Sequence, residues 1–140
     1  MKIAVGIDFG LVRTGIAISD TNQIISSPLQ TIKSKDLISF LKKLNLENPF
    51  DTIVIGFPKQ LNGQDSHITE NVKILKDHLS LEFKKVKIMH IDERFTSKMA
   101  SRIVYQAGLK KKQSKNKELV DQISASIILQ DYINNYKTQK

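Results

Sequence analysis

Bulky and small side chains alternate along the first residues of the chain. In Lys2–Gly10, Ile3, Val5, Ile7 and Phe9 fall on one side of an extended strand and Ala4, Gly6 and Asp8 on the other, because successive strand side chains point to opposite faces. This pattern predicts a strand at about 2–9, a turn through Gly10–Arg13 and a second strand at about 14–19. A turn at Asp20-Thr21-Asn22 leads to a third strand around 24–32. Pro28 places that strand at a sheet edge, since proline cannot donate to a central ladder.

Farther on the period changes. Leu37, Ile38, Leu41 and Leu44 recur at helical spacing over 36–46, with Ser34 or Asp36 as the expected cap and Asn48-Pro49 as the stop. Thr52–Phe57 carries almost no polar side chain and suits a central strand covered on both faces. A loop runs from Pro58 to the turn pair Asn62-Gly63, and Ile68, Val72, Leu75 and Leu79 then form one stripe of a helix over 66–79. Val86–Ile91 is a fifth strand ending in Asp92-Glu93-Arg94. Thr96 is placed to cap a helix through about 107, closed by Gly108. Residues 109–117 read as a lysine-laden loop, and about 117–136 as a last helix. Three strands joined by short turns, then helix–strand–helix–strand–helix, describe one α/β domain over 1–140 with a mixed sheet: a meander first, parallel crossovers afterwards.

Composition narrows the chemistry. No apolar run approaches the length of a bilayer span and no cleavable signal precedes the first strand, so the cytoplasm is the expected compartment and no membrane partner is expected. The chain has no cysteine, which excludes disulfides, zinc–thiolate sites, iron–sulfur clusters and thiol nucleophiles. Its net charge of +8 favours a polyanionic partner, most simply nucleic acid, held with an affinity that salt weakens. Of the 22 basic residues only Arg13, Arg94 and Arg102 are arginines. Each marks a place where a planar, bidentate donor is wanted in place of a point charge.

Three acidic positions stand out. Asp8 ends the first strand on a face stripped of bulk, Asp92-Glu93 ends the fifth, and Asp121 lies near the start of the last helix. Carboxyl ends of strands are where open α/β sheets gather ligand sites. Ser124 and Ala125 share the side of Asp121, so a helix laid closely on the Ala4–Gly6–Asp8 face would bring Asp121 toward Asp8. Carboxylates forced together repel unless a cation intervenes, and oxygen ligands without histidine or cysteine suit Mg²⁺ or Mn²⁺. Two such ions promote phosphodiester hydrolysis. Each acid taken alone has a plainer reading: a turn residue, a solvated strand end, a first-turn helix acid. Alternation puts Asp92 and Glu93 on opposite faces, and sequence leaves open which faces the site. His90 reads as structural, His67 and His78 as surface positions. Lys110, Lys111 and Lys112 open a basic run just before Asp121, and Lys59 follows the central strand; both are placed to track a phosphate backbone.

Taken together, Gly6-Ile7-Asp8-Phe9-Gly10-Leu11-Val12-Arg13-Thr14-Gly15-Ile16-Ala17-Ile18-Ser19-Asp20 resembles the opening signature of the YqgF/RuvX family. Gly56-Phe57-Pro58 with Asn62-Gly63, Asp92-Glu93-Arg94-Phe95-Thr96-Ser97, and the segment from Val120 to Gln130 are similar to its later motifs, in the same order and spacing. The resemblance implies an RNase H-like fold with a five-stranded mixed sheet of order 3-2-1-4-5, strands one to three antiparallel and strands four and five parallel to the first. It implies that Asp8, Glu93 and Asp121 are the catalytic, metal-binding acids. It further implies a nuclease that trims the 5′ end of pre-16S ribosomal RNA, related to Holliday-junction resolvases, with ribosomal particles as further partners. At the fourth strand end, where many RNase H-like nucleases carry an acid, this chain has Gly56-Phe57-Pro58; the second acid comes from strand five. Ser124-Ala125-Ser126 stands where alanines are common in the family.

The expected protein is thus a Mg²⁺- or Mn²⁺-dependent nuclease acting on RNA, monomeric or homodimeric. Asp8 would bridge two ions, Glu93 and Asp121 would hold one each, and Arg13, Lys59, Arg94 and the lysine run would bind phosphates. The competing expectations are a resolvase acting on branched DNA as a symmetric dimer, and a non-catalytic RNA-binding module of the ribosome.

Overall fold

The computed structural model describes residues 1–58, 67–93, 99–100, 102–103 and 114–137. Strands β1 (Ile3–Phe9), β2 (Arg13–Ser19) and β3 (Ser26–Lys33) are followed by helix α1 (Leu37–Glu47), strand β4 (Phe50–Pro58), helix α2 (His67–Glu82), strand β5 (Lys87–Glu93) and helix α3 (Ser114–Asn135). The strands form one sheet of order β3-β2-β1-β4-β5. β1–β2 and β2–β3 pair antiparallel, while β1–β4 and β4–β5 pair parallel. That is the expected mixed sheet. β3 lies at its edge, and the ladder steps past Leu29 where Ile16 pairs Gln30 and Ala17 pairs Pro28, so proline is accommodated at an irregularity.

The two faces of the sheet are covered differently because their side chains differ in size. Ile3, Val5, Ile7, Ile16, Ile53 and Ile55 pack against Leu37, Leu41 and Leu44 of α1 and Val72, Leu75 and Leu79 of α2. On the other face, small Ala4 and Ala17 meet Ala125, Ile128, Leu129 and Tyr132 of α3, together with Val54 and Ile91. Ile128 and Leu129 are fully buried, each stabilising by roughly 2 kcal/mol. They hold α3 down on the centre of the sheet.

The element boundaries depart from expectation in instructive ways. α3 begins at Ser114, not 117, so Asp121 is its eighth residue and lies well inside the helix instead of in its first turn. β3 begins at Ser26 because the Asp20 carboxylate takes the N–H groups of Ile24 and Ile25, at 2.8 and 2.9 Å. Neither Ser34 nor Asp36 caps α1 through its side chain; a 3-10 turn at Ser34–Asp36 leads into the helix. β4 gains Phe50, Asp51 and Pro58, and α2 runs on to Glu82, which brings Phe83 against Phe50 with ring centroids 5.4 Å apart. The backbone at 99–100 and 102–103 is helical; the expected cap Thr96, the stop Gly108 and the turn Asn62-Gly63 lie outside the described residues. No helix among the described residues is long and apolar enough to cross a membrane.

Candidate active site

The position of Asp8 follows from the strand that carries it. β1 is the central strand, buried from Ile3 to Ile7, and only at Asp8 does it become partly accessible. A carboxylate there is held on rigid backbone yet meets solvent. Its ladder partner on β2 is Gly15, so the two Cα atoms are about 5 Å apart.

Gly15 explains how Asp121 arrives. A Cβ built on Gly15 would lie 2.0 Å from the carbonyl oxygen of Asp121, and one on Gly6 would lie 2.7 Å from the carbonyl oxygen of Ala125 and from Cβ of Leu129. Any side chain at either position would push the helix away. With glycine at both, α3 crosses in backbone contact with β1 and β2, and Asp121 sits over the strand position facing Asp8. Polar bonds fix the helix along its length. Thr31 Oγ1 donates to the Glu118 carbonyl at 2.6 Å, Ser26 Oγ donates to the Ser126 carbonyl at 2.7 Å, and Gln130 Oε1 accepts from Ser26 N at 2.9 Å.

Sequence left Asp92 and Glu93 unresolved; the register gives their place along the sheet. Ile7 pairs with Ile55 on β4, so Asp8 is level with Gly56, and Gly56 pairs with Ile91 on β5. Asp92 and Glu93 pair with Phe57 and Pro58, which puts them at the same carboxyl edge as Asp8, two strands or about 10 Å across the sheet from β1.

Asp121 is ion-paired: Arg13 Nε donates to Asp121 Oδ2, with the arginine side chain 43% and the aspartate 21% exposed. Burial pushes the Asp121 carboxyl above the ordinary carboxylate value; the hydrogen bond and charge of Arg13 pull it down without cancelling the rise, and Glu118 adds to it. Arg13 itself is the first residue of β2, at the end of a turn pinned by Ser34. Ser34 N donates to the Val12 carbonyl at 2.9 Å, Ser34 Oγ donates to the Gly10 carbonyl at 2.6 Å, and the hydroxyls of Thr14 and Ser34 are 2.7 Å apart.

Gly15 and Ser34 are the positional residues that sequence reasoning missed. Ser34 has the look of a helix cap, and nothing local to Gly15 reveals a helix more than a hundred residues away. Lys59, Arg94, Lys110, Lys111 and Lys112 lie outside the described residues. Among the described residues no group of three or more His, Cys, Asp or Glu side chains gathers. The Asp121 backbone lies over Gly15, the ladder partner of Asp8, and position 93 lies on β5 at the same carboxyl edge.

A mixed sheet of this order beneath a crossing helix is an RNase H-like fold. In fold the chain is similar to RuvC of T. thermophilus solved in complex with a Holliday junction substrate, with a TM-score of 0.54, 14% identity and coverage of 95% of this chain and 94% of that one. In sequence it is 46% identical over 135 residues to a protein of Flavobacterium johnsoniae provisionally named as a pre-16S rRNA nuclease, covering 96% of this chain and 98% of that protein. A protein of Bacteroides thetaiotaomicron with the same provisional name is 44% identical over 133 residues, covering 95% and 96% respectively. The model of the RuvX family, described as Holliday junction resolvase, matches residues 2–135. The chain belongs to the RuvX family.

Proposed function

We propose that this protein is a divalent-metal-dependent nuclease that hydrolyses phosphodiester bonds of precursor ribosomal RNA, with Asp8, Glu93 and Asp121 as its metal-binding acids. The observation that supports the reading is the backbone contact of Gly15 with Asp121, which lays that residue over the ladder partner of Asp8, at the end of β1 where the strand becomes partly accessible. The donor set fits the group. It consists of carboxylate oxygens, as Mg²⁺ and Mn²⁺ prefer.

When bound, Mg²⁺ or Mn²⁺ there would activate water and neutralise charge on the leaving oxygen. Asp8, Glu93 and Asp121 would hold the ions. Arg13 and Arg94 would supply bidentate contacts to phosphate oxygens. Lys59 and the run Lys110–Lys112 would steer the polyanionic strand toward the acids, consistent with the net charge of +8. The substrate assignment follows the provisional names of the relatives, which match over nearly their whole length.

The family description favours a second reading, cleavage of four-way DNA junctions. One experiment separates the two. Purified protein is incubated with labelled pre-16S rRNA and with four-way DNA, with and without Mn²⁺. Trimming of RNA at its 5′ end supports the proposal; paired nicks in the junction support the resolvase. The Asp8→Asn variant should fold normally and cleave neither. Full activity of that variant would end the metal-acid reading, and no metal-dependent cleavage of either substrate would favour an RNA-binding module.

A further inference from the structure

We propose that Arg13 is a resident counter-ion of the acidic site: its guanidinium neutralises Asp121 in the cation-free protein, gives the carboxylate up when a divalent cation is bound, and is then free to hold a phosphate of the bound strand. This rests on the reading of Asp8 and Asp121 as metal ligands and adds a residue that competes with the metal for one of them.

Three observations converge on it. The first is the pairing itself. The Asp121 backbone rests on Gly15, the ladder partner of Asp8, and Arg13 reaches the Asp121 carboxylate from a position 108 residues away in sequence. A half-buried carboxylate with Glu118 nearby is disfavoured as an anion, and a fixed cation is the simplest means of holding it, and α3 with it, before metal arrives. The second is exposure. With its side chain 43% exposed the arginine leaves the pair open to water. Open ion pairs hold by only about 0.2–1 kcal/mol, so a dication sharing two or three carboxylates wins the competition. The third is the anchoring of the backbone that carries the arginine. Ser34 fastens the turn at Gly10 and Val12 and also meets Thr14. The Arg13 backbone is thereby held beside the site, so a guanidinium released from Asp121 stays within reach of any phosphate at the acids. A planar fork suits that second task better than a lysine would.

The proposal gives Arg13 effects of opposite sign on metal and on substrate, whereas a merely structural salt bridge would weaken both. Mn²⁺ is titrated calorimetrically into the full chain without nucleic acid, for wild type, Arg13→Gln, Arg13→Lys and Asp121→Asn. Arg13→Gln should bind Mn²⁺ about fivefold more tightly, the equivalent of an open ion pair, and Arg13→Lys should fall between it and wild type. Asp121→Asn should bind more weakly. Arg13→Gln should also bind a short single-stranded RNA less well than wild type in the presence of Mg²⁺. In the wild-type protein, the NMR signal of the Arg13 Nε proton should shift and exchange faster on addition of Mg²⁺. Unchanged or weaker Mn²⁺ binding by Arg13→Gln, with Asp121→Asn impaired, overturns the counter-ion role and leaves the metal site intact. Wild-type Mn²⁺ binding by Asp121→Asn removes the metal from that residue and sinks both readings. Should Arg13→Gln fail to fold, Arg13→Lys and the Nε proton decide: tighter Mn²⁺ binding and a Mg²⁺-induced shift support the proposal, and absence of either overturns it.

Discussion

Gly15 and Asp121 touch through bare backbone: a Cβ on Gly15 would lie 2.0 Å from the Asp121 carbonyl oxygen and 2.3 Å from its carbonyl carbon. Gly15 is at the same time the ladder partner of Asp8. One glycine therefore sets both the height of α3 above the sheet and the separation of two candidate ligands. Structure and chemistry share this residue.

Gly15→Ala should accordingly damage both. The added methyl meets main chain, which cannot rotate away, so α3 must lift or slide; overpacking of this kind costs about 1–3 kcal/mol. Urea denaturation should show that loss, and Mn²⁺ affinity measured below the unfolding transition should fall as well. Gly6→Ala, whose methyl would meet Leu129 Cβ and the Ala125 carbonyl at 2.7 Å, should be destabilising with a smaller effect on metal, because it presses on α3 a full turn beyond Asp121. Equal losses of metal affinity in the two variants would show that α3 moves as a rigid rod.

The far end of α3 offers a separate check. Gln130 Oε1 accepts from Ser26 N, and its amide donates to the Ile24 carbonyl at 3.1 Å. Gln130→Leu keeps the bulk and strands these backbone groups at the start of β3. It should cost about 1–2 kcal/mol in thermal or urea unfolding and leave Mn²⁺ affinity near wild type, since the acids sit at the opposite end of the helix. A loss of metal binding would mean that the position of α3 is fixed from this end.

Local rules carried the strands and helices well, because each is a repeating pattern of bulk. The alternation in β1 and the stripes of α1 and α2 are written in consecutive residues, and so was the relief on the Ala4–Gly6–Asp8 face. The strand order came through the family resemblance. What the sequence concealed depends on distance or on composition. Lys115 and Lys117 are good helix formers, yet in a lysine-rich run they read as loop, which put Asp121 three residues too near the helix start. The Arg13–Asp121 pair and the Gly15 contact join positions more than a hundred residues apart, and no local signal marks them.

The basic run before α3 makes a prediction that rests on charge alone. If Lys110, Lys111 and Lys112 neutralise phosphates of the bound strand, replacing all three with alanine should weaken RNA binding at low salt. The slope of log affinity against log salt should also shrink, by about 0.7 for each phosphate of a single strand that is no longer neutralised. Measuring affinity at several salt concentrations reads both quantities. An unaltered slope would place the run off the substrate path.

Acid pH should loosen the turn between β2 and β3. The Asp20 carboxylate accepts N–H bonds from Ile25, Ile24 and Asn22, at 2.9, 2.8 and 3.2 Å. These bonds, led by that from Ile25, hold its pKa below the ordinary aspartate value of 3.8. A depressed carboxyl binds its proton less readily in the folded chain than in the unfolded one. Its stabilising contribution is therefore complete above the unfolded value and is lost as pH falls through the folded value. Asp20→Ala should melt at a lower temperature than wild type at neutral pH, and the gap should close as the wild-type carboxyl becomes protonated. Asp20→Asn, which keeps an acceptor without the charge, should melt between the two with a smaller pH dependence in this range than wild type. A gap between Asp20→Ala and wild type that stayed constant from neutral to strongly acid pH would show that the ionised carboxylate is not what holds this turn.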